Sequence, residues 1–131
     1  MDIHAKKCKA AFGLWDWRID VSRVDKLKRK GDACLGYHNT VHRTLSRNIE
    51  YNSSLKDDSL GHDVITHEFL HVALIEPDIA FGLVMDFVPE KYRAHCQELY
   101  TEAKEHTTEK LARSLTPLLR AMDNEDAVVE A

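Results

Sequence analysis

The chain has 131 residues, a formal net charge of −4 and a pI of about 6.0. This length suits one domain with a hydrophobic core, and we expect residues 1–131 to form a single domain. The slightly acidic balance provides no general attraction to nucleic acid or to anionic membranes, so we expect neither as a partner.

The composition also bears on location and on metal binding. No apolar run approaches the ~18 residues of a transmembrane helix, and no apolar stretch typical of a signal peptide follows the first charges. Three cysteines without CxxC spacing, Cys8, Cys34 and Cys96, predict reduced thiols and hence a cytoplasmic protein. Eight histidines are many for this length, and histidine is the commonest metal ligand.

The N-terminal part is predicted to form a helix followed by a strand. Residues 2–12 are expected to be a short helix. Residues 14–21, LWDWRIDV, alternate apolar and polar side chains. A period of two predicts a strand with one buried face. The apolar side chains of that face are Trp15, Trp17, Ile19 and Val21.

The next stretch is predicted to add β-structure between turns. Residues 25–33 are charged and contain Gly31, which predicts a turn. The β-formers in residues 33–46 predict a second strand, or a hairpin, that continues to Ile49. The polar residues 52–59 predict another turn.

Helical patterns dominate the second half of the chain. Ser59 or Asp63 could cap a helix that runs to about Ile75. Glu76-Pro77 should end this helix, because the residue before a proline is disfavoured in helical geometry. An apolar connection is expected over residues 77–88.

A long helix is then expected from Glu90 to about Leu115, with Pro89 at its first helical position. Pro117 should break or kink this helix. Residues 116–131 are therefore predicted to be a C-terminal tail with a frayed acidic end.

The first of the two long helical segments contains the motif HExxH. On a helix, His67 and His71 lie one turn apart on one face, where two imidazoles can chelate one Zn²⁺ at ~2.0–2.1 Å. Glu68 adjoins the first ligand and can act as general base toward a metal-activated water. The apolar neighbours of the motif would hold it rigidly in the core. We therefore predict one zinc ion per chain.

A catalytic zinc site needs a third protein ligand. We predict Glu105, because it lies on the apolar stripe of the long helix and could therefore meet the first helix. The members of this stripe are Thr101, Glu105, Thr108, Ala112, Leu115 and Leu119. The alternatives that stay open are Glu98, Glu102, His106 and Glu109.

These residues resemble a known family. HEFLH, preceded by VIT and followed by VALIEP, resembles the active helix of HExxH zinc metallopeptidases, the zincins, and Glu105–Leu115 resembles the third-ligand helix of gluzincin-type members. The upstream WDWRIDV and RTLS resemble compact metallopeptidases of phages and prophages, and their order is similar to that in SprT-like domains. The resemblance covers most of residues 14–115, and HExxH is its specific part.

The resemblance implies an α+β fold with a small zincin-like core. A short twisted sheet of about three strands would pack on the HExxH helix, and a second helix would supply the last ligand. It implies that His67 and His71 are zinc ligands and that Glu68 is the base. Residues after His71 contain neither an HGxxF-like segment nor an HxxGxxH motif, which favours a glutamate as third ligand. A phage-encoded member would act in the cytoplasm of its bacterial host.

The working hypothesis is a zinc metallopeptidase that hydrolyses a peptide or protein substrate, with Glu68 as general base. Four side chains are considered as donors to the oxyanion: Tyr37, His38, His42 and Tyr92. One alternative is a zinc-stabilised protein-binding module without catalysis. Another is a metal-free helical interaction protein. The sequence leaves the oligomeric state open.

Overall fold

The computed structural model of the protein describes residues 1–27, 33–38 and 46–122. The elements in chain order are α1 (Asp2–Ala11), β1 (Arg18–Val24), β2 (Ala33–His38), β3 (Ser46–Asn52), α2 (Ser59–Ala73), α3 (Ile75–Met85) and α4 (Glu90–Ala121). This mixed and mostly helical arrangement confirms the α+β class. Within the described ranges, no helix has both the length and the apolar character needed to cross a membrane.

Within these ranges, β3 lies between β1 and β2 in the sheet. It pairs in parallel with β1, from Arg18 opposite Ser46 to Val24 opposite Asn52. Its pairing with β2 is antiparallel. Ile49 of β3 is fully buried and joins the sheet to the core. Parts of the predicted turn and hairpin, residues 28–32 and 39–45, lie outside the described residues.

The segment after α1 is a turn, so the strand predicted from residue 14 begins only at Arg18. Gly13 has a φ of 66°, a left-handed conformation that glycine adopts without a steric penalty. The turn is closed by two backbone hydrogen bonds of 3.0 Å, from Leu14 N to Lys9 O and from Trp17 N to Leu14 O. These bonds close the C-terminal end of α1 and hold residues 14–17 in a turn. These residues are therefore not part of the strand.

The turn reverses the burial predicted for its first two residues. Leu14 is buried in the core, whereas Trp15 is exposed, contrary to the alternation pattern. A period of two assigns faces correctly only where the backbone is extended. The remaining predicted members do pack against the core: Trp17, Ile19 and Val21.

Helix α2 begins one residue after Asp58, which is its N-cap. The Asp58 side chain accepts a hydrogen bond of 3.0 Å from Gly61 N. The predicted caps Ser59 and Asp63 were therefore wrong, by one and five positions. Asp58 satisfies a backbone donor that the first helical turn leaves without an intrahelical acceptor.

The predicted connection over residues 77–88 was wrong, because most of it is helix α3. Pro77 lies in the first turn of α3, where the backbone N–H groups have no intrahelical acceptors and the missing donor carries no cost. The expected boundary between the two helices is present, but it falls at Leu74.

Helix α4 continues through Pro117 to Ala121, so the predicted end near Leu115 was wrong, and so was the tail over residues 116–121. Proline inside a helix costs about 3 kcal/mol. Thr116 and Leu119, on either side of the proline, are both buried. Their packing offsets this cost and holds the last turns in place. Residues 123–131 lie outside the described part of the chain.

The core combines apolar packing with a small set of polar side chains. Cys8 is fully buried, and burial raises the pKa of its thiol to about 12, so it is a neutral core group. The buried apolar cluster comprises Ala5, Cys8, Leu14, Ile49, Ile65, Phe69, Val72 and Leu119. Helices α1, α2 and α4 and strand β3 all contribute to it.

A buried hydroxyl, that of Thr66, connects the three core helices. It donates a hydrogen bond of 2.8 Å to the carbonyl of His62 and accepts one of 3.0 Å from the hydroxyl of Thr116 in α4. Nε2 of His4 in α1 lies 2.8 Å from the same oxygen. Buried polar groups are tolerated when they are paired in this way.

We predict that acid destabilises the protein through His4. Burial, followed by the charges of His62 and Lys7, lowers the pKa of His4 from 6.5 to about 4. Between these values the unfolded chain binds a proton that the folded chain excludes. Stability should therefore fall as the pH drops from 6.5 to about 4, by up to about 3 kcal/mol. Urea unfolding of the wild type and of His4→Gln at several pH values measures this contribution.

The matched control is His106→Gln, which changes an exposed histidine. This variant should keep the pH dependence of the wild type. If His4→Gln also kept it, the buried neutral state of His4 would be wrong.

Candidate metal centre

Helix α2 presents two different faces. Ile65, Phe69 and Val72 are buried and spaced i, i+4 and i+7, which gives one continuous apolar face. His67 and His71 lie on the other side of the helix, one turn apart. The packing of the apolar face therefore fixes the direction in which both imidazoles project.

The stripe predicted on α4 is present over its C-terminal part. Thr108, Ala112 and Leu119 are buried, as expected from their helical phase. Glu105 lies just before the first buried position, where the stripe reaches the surface. Because α4 packs against α2, this position meets the histidine face of the first helix.

The three predicted ligands converge on one point. His67 Nε2 lies 3.0 Å from His71 Nε2 and 3.1 Å from Glu105 Oε2. His71 Nε2 lies 3.2 Å from Glu105 Oε1. The two imidazole rings are edge-to-face, with centroids 4.7 Å apart. Tetrahedral ligands at ~2.0–2.1 Å from zinc are separated by about 3.3–3.4 Å, and each of the three observed contacts is close to this separation.

The donor set also suits zinc by its chemistry. Two imidazole nitrogens and one carboxylate oxygen form the His₂Glu combination of catalytic zinc sites. Among the described residues, these are the His, Cys, Asp or Glu side chains whose ligand atoms approach closely enough to share an ion, all within 4.8 Å. The alternatives Glu98, Glu102, His106 and Glu109 do not join the group.

The three side chains of the group differ in their exposure to solvent. The side chain of His71 is 11% exposed, whereas that of Glu105 is 47% exposed. Structural zinc sites are closed by a fourth protein ligand, and catalytic sites keep that position open.

The electrostatics of the group favour a neutral imidazole at His71. Burial is the largest influence and lowers the pKa of His71, and the nearby charges of His67 and Lys104 act in the same direction. The carboxylate of Glu105 opposes them. An unprotonated ring nitrogen is the form that binds a metal ion.

Glu68 follows His67 directly in α2 and is 9% exposed. The structure thus places the predicted base at the edge of the core, next in sequence to the first histidine.

The predicted oxyanion donors have different outcomes. The prediction that Tyr92 donates to the oxyanion was wrong. Tyr92 precedes Glu105 by more than three helical turns, or about 20 Å along α4. Tyr37 and His38 belong to β2, which lies beside α2. His42 lies outside the described residues.

A polar cluster beside the metal group was missed at the sequence level. The hydroxyl of Tyr100 donates a hydrogen bond to Asp78 of α3, and Lys104 Nζ lies 3.6 Å from the same carboxylate. Burial, followed by the hydrogen bond to Asp78, raises the pKa of Tyr100 to about 12. The sequence contains one signal for this cluster. The i, i+4, i+8 spacing on α4 places three residues on one helical stripe: Tyr100, Lys104 and Thr108.

Comparisons with known proteins found no match among family models, curated proteins or solved structures.

We predict that metal content depends on all three converging side chains. The wild type should bind about one zinc ion per chain, and His67→Ala or His71→Ala should lose it, because two ligands are too few. Glu105→Gln should lower zinc affinity at least about tenfold, because an amide is a weaker ligand than a carboxylate. Elemental analysis and competition with a chromogenic chelator measure both effects.

The control for the third ligand is Glu109→Gln, one turn further along α4. The Glu109 carboxylate pairs with Arg113, so this variant should keep its zinc. Equal affinities of Glu105→Gln and the wild type would exclude Glu105 as a ligand.

Zinc should also stabilise the fold, because only the folded chain brings the three donors together. At a free zinc concentration ~100 times Kd, the free energy of unfolding should rise by about 2.7 kcal/mol. Urea titrations with and without zinc at neutral pH test this. His71→Ala should show no gain, and a full gain in that variant would locate the zinc elsewhere.

Proposed function

We propose that the protein is a zinc-dependent metallopeptidase that hydrolyses peptide bonds, with Glu68 as the general base. The observation that carries the proposal is the convergence of His67, His71 and Glu105 from two different helices, with ligand atoms within 4.8 Å. The peptidase class comes from the resemblance of HEFLH to zincins, and the substrate would be a peptide or protein.

The contacts within the group support a bound cation. An imidazole nitrogen that carries no proton is a lone-pair acceptor, and so is a carboxylate oxygen. The two nitrogens lie 3.0 Å apart, and each lies 3.1–3.2 Å from one oxygen of the carboxylate, so these contacts need shared protons or a cation between them. A divalent ion satisfies all three acceptors at once.

The chemistry expected at the site can be assigned residue by residue. His67, His71 and Glu105 would hold the ion, which supplies Lewis-acid chemistry by acidifying water and polarising a carbonyl group. Glu68 would accept a proton from the attacking water while the oxygen of this water bonds to the carbonyl carbon. Glu68 would then give this proton to the amide nitrogen as the C–N bond breaks.

The finer details of the fold are part of the same proposal. We infer a zincin-like core of gluzincin type, in which the short sheet lies beside the HExxH helix and α4 supplies the glutamate. The packing of α4 on α2 and the proximity of β3 to α2 support this arrangement. A cytoplasmic location follows from the cysteine pattern.

We predict that Glu68→Gln separates metal binding from catalysis. The variant should keep about one zinc ion per chain, because Glu68 is not among the three donors. Its peptidase activity should fall at least ~100-fold, because an amide cannot accept the proton. Hydrolysis of a fluorescein-labelled unfolded protein, with zinc analysis of the same samples, measures both.

Glu109→Gln is the control and should keep full activity. Equal activity in Glu68→Gln and the wild type would exclude Glu68 as the base. Zinc-loaded wild-type protein without activity on unfolded proteins or peptide libraries would contradict the peptidase proposal itself.

One observation favours a second function, a zinc-stabilised binding module without catalysis. Glu68 is nine-tenths buried, which limits its access to water. In that case zinc would stabilise the wild type and Glu68→Gln equally, and neither would hydrolyse peptides.

A further inference from the structure

Arg47 is a half-buried cation on the face of the sheet that is turned toward helix α2. It lies two residues before Ile49 in β3, so the two side chains project from the same face of the strand. Ile49 is fully buried and belongs to the core cluster that includes Ile65 and Phe69 of α2. Arg47 therefore projects toward the helices as well, about 6–7 Å nearer the start of β3.

The contacts of Arg47 do not explain its position as a structural bridge. Its Nε atom is buried, and no acceptor among the described residues binds the proton on this atom. A charge that is removed from water without a partner costs free energy, so half-buried arginines commonly bridge carboxylates or backbone carbonyls. Burial lowers the pKa of Arg47, and the charge of Asp78 opposes this shift.

Asp78 does not neutralise Arg47, because its carboxylate is already shared by two residues of α4. Tyr100 donates a hydrogen bond to Oδ1 of Asp78. Lys104 Nζ lies 3.6 Å from Oδ2 of the same carboxylate. One carboxylate thus faces two cations, Lys104 and Arg47, which leaves one positive charge in excess.

The excess charge lies at the border of the candidate metal centre. The charge of Asp78 acts to raise the pKa of both Arg47 and His71, so Asp78 lies near each of them. Lys104, the partner of Asp78, directly precedes Glu105 in α4. Strand β3 also lies beside α2, which carries the two histidines. An anion held by Arg47 would therefore lie beside the three converging side chains.

The shape of the guanidinium indicates which anion fits. Arginine presents parallel N–H donors that match the two oxygens of a carboxylate, and a pair of charge-assisted hydrogen bonds adds both affinity and direction. Peptides carry carboxylates at the C-terminus and on Asp and Glu side chains. A peptide therefore contains the group that Arg47 can pair with.

We propose that Arg47 binds a carboxylate of the substrate and makes the site selective for acidic peptides. Arg47 would be a specificity-determining residue that holds the peptide beside the metal centre and takes no part in proton transfer. The carboxylate would belong to the C-terminus or to an acidic side chain. The word substrate rests on the proposed function, whereas carboxylate binding itself does not.

The test measures peptide binding to the full-length Glu68→Gln chain in the presence of zinc, where cleavage should be too slow to interfere. Three fluorescein-labelled peptides share one uncharged sequence: one is amidated, one has a free C-terminus, and one is amidated with a single internal glutamate. Fluorescence anisotropy should show at least one carboxylate peptide binding at least about tenfold tighter than the uncharged one. Preference for the second peptide identifies a chain end, and preference for the third identifies a side chain.

Substitutions of Arg47 in the same background test whether it causes this preference. Arg47→Gln should bring the three affinities to within about twofold of one another. Arg47→Lys should give an intermediate preference, because it keeps the charge and loses the planar fork. The matched control is Arg18→Gln, which removes the same charge from β1, where the Arg18 side chain is 79% exposed, and should keep the full preference.

A second measurement separates ligand binding from a structural role. Because no acceptor holds Arg47 Nε, Arg47→Gln should keep its zinc content and should have a free energy of unfolding in urea at least equal to that of the wild type. A clear loss of stability together with the loss of binding would overturn the proposal and assign Arg47 to the fold.

Two binding results would also overturn the proposal. Equal affinities of the three peptides for the Glu68→Gln chain would show that the site does not recognise a carboxylate. A preference that survives Arg47→Gln would assign the carboxylate to the zinc ion or to another residue. Failure of the proposed function is a different result: the wild type would not hydrolyse peptides, and the carboxylate preference that depends on Arg47 would remain.

Discussion

The packing of α4 across α2, centred on the hydroxyl of Thr66, is the constraint on which the other features depend. This oxygen contacts His4 of α1, Thr116 of α4 and the His62 carbonyl of α2. Leaving one buried polar group unpaired costs about 1–3 kcal/mol, so a shift of any one helix is opposed. An apolar contact would permit more sliding, because it has no preferred direction.

This constraint explains how an exposed carboxylate reaches two histidines on another helix. Thr66 immediately precedes His67, and Thr116 lies about three turns beyond Glu105. Because helices are rigid over such distances, fixing the hydroxyl contact also fixes where Glu105 crosses α2. The three side chains therefore come together from two helices without a loop.

Helix α4 has a buried C-terminal part and an exposed N-terminal part. Its C-terminal part, from Thr108 to Leu119, supplies core residues and continues through Pro117 because both flanking positions are buried. Its N-terminal part supports α3 through one aromatic stack and one polar cluster. Glu105 lies close to the point where the buried part of the helix gives way to the exposed part.

The sequence by itself determined the features that depend on local periodicity. The spacing of His67 and His71 places both imidazoles on one helical face, and helical phase favours Glu105 as the residue facing α2 without excluding Glu98, Glu102, His106 or Glu109. Tertiary structure alone decided where α4 crosses α2, that the apolar residues around Gly82 form a helix, and that Pro117 lies inside one. These outcomes depend on burial and on partners distant in sequence, which neither spacing nor propensity encodes.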